Sequence, residues 1–377
     1  MGEDYRIRQK PSHDIVARHT GLVRRALLVS ALTLFSRILG YLREILSAWI
    51  FGDRSGIYDA FITAWRVPNL FRRFLGEGAL STSFQSALTS VDDRAGLEAG
   101  RRLFLDTLRL LVKILLILCA VVMAGVALLP DRMPGTDWAW LGADPGPVRE
   151  LTVRLMPYVL IACTTALFAG ALNVRGHFAA PNWSPAVMNV VWLAALIVVA
   201  WRHGWRASLG EMQSSSLHLA MTRDLAWGVL LAGIGQLLVH LPALARHGFF
   251  GRARAATDLR AEESAWTVLR RAAPLALGAA VYQVNVMIDG LMAEGLLANG
   301  GPTLHYYANR VQQFPMGLVA FAATTAVFPV LQALGQRREL AELRRLHDRT
   351  HRAIAFVALP ASVGLVVLAH PIISVSF

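Results

Sequence analysis

The apolar residues of this chain gather in long blocks separated by short polar connections, with no strict alternation that would mark half-buried strands. A hydrocarbon core of about 30 Å needs roughly 20 residues of helix, and the backbone crossing it must satisfy its own hydrogen bonds. The clearest blocks cover 111–129, 151–172, 185–201, 225–244, 272–297, 316–334 and 353–369. Two less uniform blocks precede them, 26–51 and 57–90, the second interrupted at Pro68 and by Arg72 and Arg73. The pattern predicts an all-α polytopic membrane protein with about nine spanning helices.

Composition narrows the class. The 377 residues are 55% hydrophobic and only 16% charged, with a mean hydropathy of +0.46, which excludes an ordinary soluble, disordered or collagen-like chain. The net charge of +12 is divided among connections between apolar blocks, whereas nucleic-acid binding needs it gathered on one soluble face. Lys10 and Lys113 are the only lysines, an arginine bias that a GC-rich coding sequence would produce everywhere. Cys119 and Cys163 each sit inside an apolar block, so neither a disulfide framework nor a thiolate metal site is expected.

Arginine in the short connections sets the orientation. The N-terminal segment, the connection with Arg94, Arg101 and Arg102, the connection 246–271 and the run 337–352 fall on one side if the chain alternates. The connections near Asp53, over 131–149 and at 299–301 are poor in basic residues and fall on the other. The N-terminus is therefore expected in the cytoplasm. The connection 202–223 puts a few arginines outside, against the trend. The first apolar helix carries charges and has no small-residue cleavage pattern, so no signal peptide is read. A weak internal repeat pairs 58–88 with 305–335, each carrying a Pro and a later Gln at similar offsets, which suggests two parallel-related lobes.

Polar residues occupy positions where lipid would otherwise be expected. Ser30, Thr33, Arg37, Gly40, Glu44 and Ser47 step by three and four, which puts them on one face of a helix with Arg43 beside it. An arginine at membrane depth costs about 2.5 kcal/mol or far more, so it must face protein or a water-filled cavity. The alternative is that Arg37 and Arg43 snorkel or pair structurally with Glu44. The second block adds Asp59, Arg66, Arg72, Arg73 and Glu77, with a helix break expected at Pro68. Arg72 and Arg73 suit either a binding site or a cytoplasmic mouth touching lipid headgroups. Further on, Arg310 stands between Tyr306-Tyr307 and Gln312-Gln313, at the outer rim or at mid-depth, and Asp289 is expected to be buried beside an arginine. So many arginines with so few acids point to an anionic, phosphate-bearing ligand, because guanidinium groups bind phosphate oxygens bidentately and stay charged. No P-loop, GxSxG elbow or CxxC pair occurs, and His347 with His351 lacks the glutamate of a zinc helix. No enzyme chemistry, cofactor or metal is expected.

The run Ser36-Arg37-Ile38-Leu39-Gly40-Tyr41-Leu42-Arg43-Glu44, followed by Phe51-Gly52, Asp59-Ala60-Phe61, Val67-Pro68-Asn69-Leu70-Phe71-Arg72-Arg73 and Gly76-Glu77-Gly78-Ala79, resembles the N-terminal signature of the MurJ/MviN family of lipid II flippases. Tyr306-Tyr307-Ala308-Asn309-Arg310 with Phe314-Pro315-Met316-Gly317 resembles its second-lobe motif. The resemblance implies a MATE-like transporter fold of the MOP superfamily, with fourteen helices of which about nine are present here. It implies a multi-pass protein of the bacterial inner membrane that flips lipid-linked peptidoglycan precursor from the cytoplasmic to the periplasmic leaflet by alternating access. The membrane and that anionic diphosphate lipid are then the partners, and no nucleic acid is involved. Carried over by motif, the substrate-binding residues are Arg37, Arg43 and Arg310, with Asp59, Arg72 and Arg73.

Two departures stand out. Gln313 occupies a position where the family commonly has an acid, and Asn309 one where aspartate is usual. The chain also ends near the close of the ninth expected span, so it reads as a truncated flippase that is not expected to flip lipid alone. The expected organisation is a cytoplasmic segment 1–25, an N-lobe 26–246, a basic cytoplasmic linker 247–263 and a partial C-lobe 264–377. Two alternatives are a related exporter of another lipid-linked oligosaccharide or of drugs, and a membrane-embedded enzyme acting on lipid-linked sugars. The enzyme would need a large outer loop with acidic or histidine groups, and 202–223 offers only Glu211, His203 and His218.

Overall fold

The computed structural model describes residues 13–52, 56–73, 80–128, 145–204, 215–250, 264–296, 301–336 and 339–376. Regular structure among the described residues is entirely helical, as lipid requires of a backbone with no water to bond. Five stretches are long and apolar enough to cross a bilayer by themselves. They are α4 (Leu97–Ala127), the bent pair α5 (Pro145–Leu155) and α6 (Pro157–Val174), α7 (Ala179–His203), the bent pair α8 (Ser215–Leu238) and α9 (Leu241–Arg246), and α12 (Leu340–Val367). The remaining expected spans are α1 (His13–Phe51), the pair α2 (Gly56–Phe71) and α3 (Leu80–Ala95), α10 (Ala265–Leu296) and α11 (Gly301–Gln336). A short α13 (Ala369–Ser376) follows.

Two boundaries differ from expectation. The helix does not break at Pro68: α2 runs through it to Phe71, surrendering one ladder bond near its own end where the loss is small. The basic run 337–352 is not a loop either, because from Leu340 it forms the first half of α12. Arginine favours helix, and nothing in 340–352 breaks one. The break that bends α5 into α6 falls at Pro157, whose missing N–H is tolerated at a first helical position.

Two apolar clusters hold the bundle. One joins α3, α4, α6 and α9 to the start of α10 through Val268 and Ala272. At its centre Phe104 lies 6.3 Å from Phe84, 5.8 Å from Phe168 and 4.8 Å from Phe249 between ring centroids. The other joins α1, α2, α5, α6, α7, α8 and Tyr307 of α11. Within it Trp65 sits 4.8 Å from Tyr158 and edge-on to Trp192 at 5.2 Å. No described residue of α12 is buried.

The basic ends of the helices are tied together by Arg175, just after α6. Its guanidinium reaches the Asp92 carboxylate (3.3 Å), donates to the carbonyls of Leu97 (3.0 Å) and His247 (2.5 Å), and lies 4.0 Å over the Phe249 ring. Gly96, with φ +83°, makes the turn that brings Leu97 into range. His177 and His247 face each other beside this clamp, ring centroids 5.2 Å apart. Burial, with His247 and Arg246 nearby, lowers the pKa of His177 below its usual value. Residues 53–55, 129–144, 205–214, 251–263 and 297–300 lie outside the described residues, and with them most of the connections used to assign sidedness.

Candidate functional site

A cavity of about 620 Å³ lies between α1, α2, α7, α8 and α11. The interior face of α1 supplies Ser36, Arg37, Gly40, Tyr41, Arg43 and Glu44, the stretch in which the polar stripe falls. From α2 come Trp65 and Asn69, from just past its end Arg72 and Arg73, and from α11 Arg310 and Gln313. Five of the six residues expected to bind substrate, Arg37, Arg43, Arg72, Arg73 and Arg310, therefore border one space. The side chain of Ser30 and the whole of Glu77 lie outside the described residues.

Arg43 is the most firmly held of the five. It is 7% exposed, pairs with Glu44, donates to Asn189 Oδ1 at 3.1 Å and stacks 4.3 Å above the Trp192 ring. Asn189 in turn donates from Nδ2 to the carbonyl of Ser36 at 2.9 Å, so α7 fixes both the arginine and the backbone about two turns before it. Glu44, 3% exposed, is the counter-charge on which the floor is built. It accepts a hydrogen bond from Tyr306 (3.0 Å) and approaches Arg310 Nε at 3.4 Å, while Arg310 donates to the same tyrosine at 3.0 Å. A lone buried carboxylate would cost several kcal/mol; here two guanidinium groups and a phenol satisfy it. Structural pairing with Glu44 and a place at the cavity are thus both true of Arg43. Arg72 is oriented by Asn69, whose Oδ1 accepts from its Nε (3.2 Å) and terminal nitrogen (2.9 Å).

Asp59 is elsewhere. It does not border the cavity; buried on α2, it accepts from the backbone N–H of Thr303 (3.1 Å) and from its hydroxyl (2.5 Å), capping the start of α11. Asp289, expected in the interior beside an arginine, is exposed on α10. Arg310 lies about two and a half turns into α11, away from the end that Asp59 caps.

The cavity occupies one half of the bundle. Pro185, Met188 and Asn189 are near the start of α7, Gln236 is near the end of α8, and Arg72 and Arg73 follow the end of α2. All of these belong to the half that carries the Arg175 clamp. Toward the opposite end, α1, α2 and α11 close on one another through Glu44 with Tyr306 and Asp59 with Thr303. Sequence reasoning missed Asn189, Trp192 and Trp65; a lone amide in the otherwise apolar block 185–201 was the available signal for the first. Among the described residues no group of three or more His, Cys, Asp or Glu side chains could hold a metal ion.

Comparison with known proteins fits this geometry. Residues 47–377 match the family described as lipid II flippase MurJ. The probable lipid II flippase MurJ of Rhizobium meliloti is 28% identical, over 94% of this chain and 63% of its own length. Those of Bdellovibrio bacteriovorus and Vibrio cholerae are each 30% identical over 94% of this chain, and over 64% and 65% of their own. The chain thus spans a little under two thirds of these relatives. Among solved structures, an inward-facing multidrug resistance MATE family transporter of the MOP superfamily superposes with a TM-score of 0.59 at 12% identity, over 91% of this chain and 74% of that one. A MOP superfamily transporter from Pyrococcus furiosus gives 0.61 at 11%, over 93% and 73%. At such identities the likeness is one of fold.

Proposed function

From a chain that belongs to the MurJ lipid II flippase family, we propose transport of lipid-linked peptidoglycan precursor from the cytoplasmic to the periplasmic leaflet of the bacterial inner membrane. The supporting observation is the arginine-bordered cavity, set within apolar helices and closed at one end by α1, α2 and α11. The cargo's diphosphate would enter between Arg37, Arg72, Arg73 and Arg310, whose planar guanidinium forks match its oxygens. Arg43, already engaged by Glu44, Asn189 and Trp192, would set the positive floor rather than meet the cargo first.

In this reading the clamp side is cytoplasmic, as is the N-terminus, and the described state is open inward. Residues 26–246 form one lobe and 264–377 part of a second, joined through 247–263. An anion drawn toward Arg310 competes with Glu44 for that arginine, which loosens the outer closure and favours the alternate state. Transport then follows from a two-state equilibrium that the cargo biases, with no bond made or broken.

The test is binding. The purified chain in lipid nanodiscs should bind a polyprenyl diphosphate lipid well above its affinity for a neutral polyprenol, and Arg37→Ala or Arg310→Ala should weaken binding ~10-fold, as expected for one charge-assisted contact. Equal affinity for the neutral lipid would remove the anion reading. Because multidrug exporters share the fold, displacement of the diphosphate lipid by hydrophobic cations would favour the drug-export alternative.

A further inference from the structure

Beside the main cavity a smaller pocket of about 90 Å³ opens between α2, α10 and α11. Arg73 and Arg310 border both spaces, so the two adjoin. The small pocket adds a third arginine, Arg66, together with His305 and Asn309; no carboxylate borders it among the described residues, although that of Asp289, beside Gly290 on α10, is near enough to His305 to act on its charge. Arg66 lies within α2 and Arg73 just past its end, and both border the pocket.

Each element contributes for a definable reason. On α10, Gly290 makes room: a Cβ there would stand 2.5 Å from Cζ of Arg66, so any larger residue pushes the guanidinium away. On α11, Asn309 bonds His305 across one turn at 2.9 Å, and Gln313 follows it on the same face. Both are neutral amides at positions where the sequence resemblance leads one to expect acids, so neither dilutes the positive charge. Val286, Met287 and Leu70 form an apolar wall, and low polarity on one side strengthens the attraction of the arginines for an anion. Glu44 meets Arg310 from the main-cavity side.

We propose that this side pocket is a second anion subsite, which holds a small oxyanion of the cargo's headgroup, carboxylate or phosphate, while the diphosphate occupies the main cavity. The assignment of the cargo rests on the flippase reading above; the anion selectivity of the pocket does not. Its volume of about 90 Å³ suits a group the size of one carboxylate or one phosphate. A cargo with two separated anionic groups would thereby be distinguished from a lipid diphosphate bearing a neutral headgroup.

A cargo-free experiment reads the selectivity directly. In the full chain with the buried Cys119 and Cys163 replaced by alanine, Met287→Cys places one thiol on the pocket wall. A negatively charged methanethiosulfonate should modify it at least ~10-fold faster than a positively charged one of similar size, the range expected when like charges focus a counter-ion in a cleft. Inorganic phosphate and acetate, tested separately as protectants, show which oxyanion the pocket prefers. Arg66→Gln should bring the two rates within ~2-fold of each other, and Arg66→Lys should retain most of the difference because the charge remains. Asn309→Asp, which leaves every arginine in place, should also narrow the ratio. Equal rates in the unmodified pocket, or a preference that survives Arg66→Gln, would overturn the proposal. Diphosphate-lipid binding measured on the same samples is a separate readout: its loss with anion selectivity intact would count against the flippase reading and leave the subsite standing.

Discussion

At the level of single residues, the cavity works by giving each charge a fixed partner. Asn189 is the clearest case, since one amide holds Arg43 through its oxygen and Ser36 through its nitrogen. Asn189→Leu keeps the branched outline of the side chain and removes both bonds, leaving a buried Arg43 N–H without that acceptor at a cost of about 1–3 kcal/mol. Diphosphate-lipid binding should fall ~10-fold, while Asn182→Ala, on the exposed first turn of the same helix, should leave it unchanged. Equal effects of the two would assign Asn189 to general helix packing. The arginines were legible in the sequence because a guanidinium in an apolar block has few affordable environments. Asn189 was not, because one amide among apolar residues is as easily bonded to its own helix, and only the approach of α7 to Gly40 and Ser36 reveals its partner.

Among elements, the connections at the basic end carry as much specific structure as the spans. The Arg175 clamp joins the turn between α3 and α4 to the ends of α6 and α9, and His177 sits against it with its pKa lowered. A histidine that resists protonation when folded binds fewer protons than the unfolded chain between its lowered value and the ordinary value near 6.5. Its contribution to stability is therefore complete above that ordinary value and is lost as pH falls through the window below it. The Tm of the purified chain should drop between pH 7 and pH 5, and His177→Gln should flatten that part of the profile; an unchanged slope would mean that other groups dominate. Element boundaries were the less legible part. Proline marked Pro68 as a break, but the rule concerns the ladder upstream, and α2 needs only one further turn. The basic stretch before Ala353 was read as a connection because charge was weighed for sidedness, although the same residues are good helix formers.

For the whole molecule, the contrast lies between a cavity on the clamp side and a closure on the other. That closure rests on Asp59 at the first turn of α11 and on Glu44 with Tyr306. Removing a carboxylate that caps a helix costs about 0.5–2 kcal/mol, enough to raise an outward-open minority ~2- to 30-fold. In a cysteine-free background, a thiol at the buried Ser47 should react with an impermeant reagent from the outer side faster by that factor in Asp59→Ala than with Asp59 intact. No change would show that the α1–α11 contacts suffice alone. Reporter fusions at Gly251 and Gly300 should report opposite faces of the membrane. The aromatic nest at the foot of the cavity adds an optical property to this mechanical picture. Trp65 and Trp192 meet edge-on at 5.2 Å, Tyr158 lies 4.8 Å from the first, and the Arg43 cation stands 4.3 Å over the second. Indoles held so close and so asymmetrically couple their electronic transitions, giving a near-ultraviolet circular dichroism band that depends on fixed packing. Any cargo that draws Arg43 off its ring changes that band, so the protein carries an intrinsic, label-free dye at the point where charge enters it.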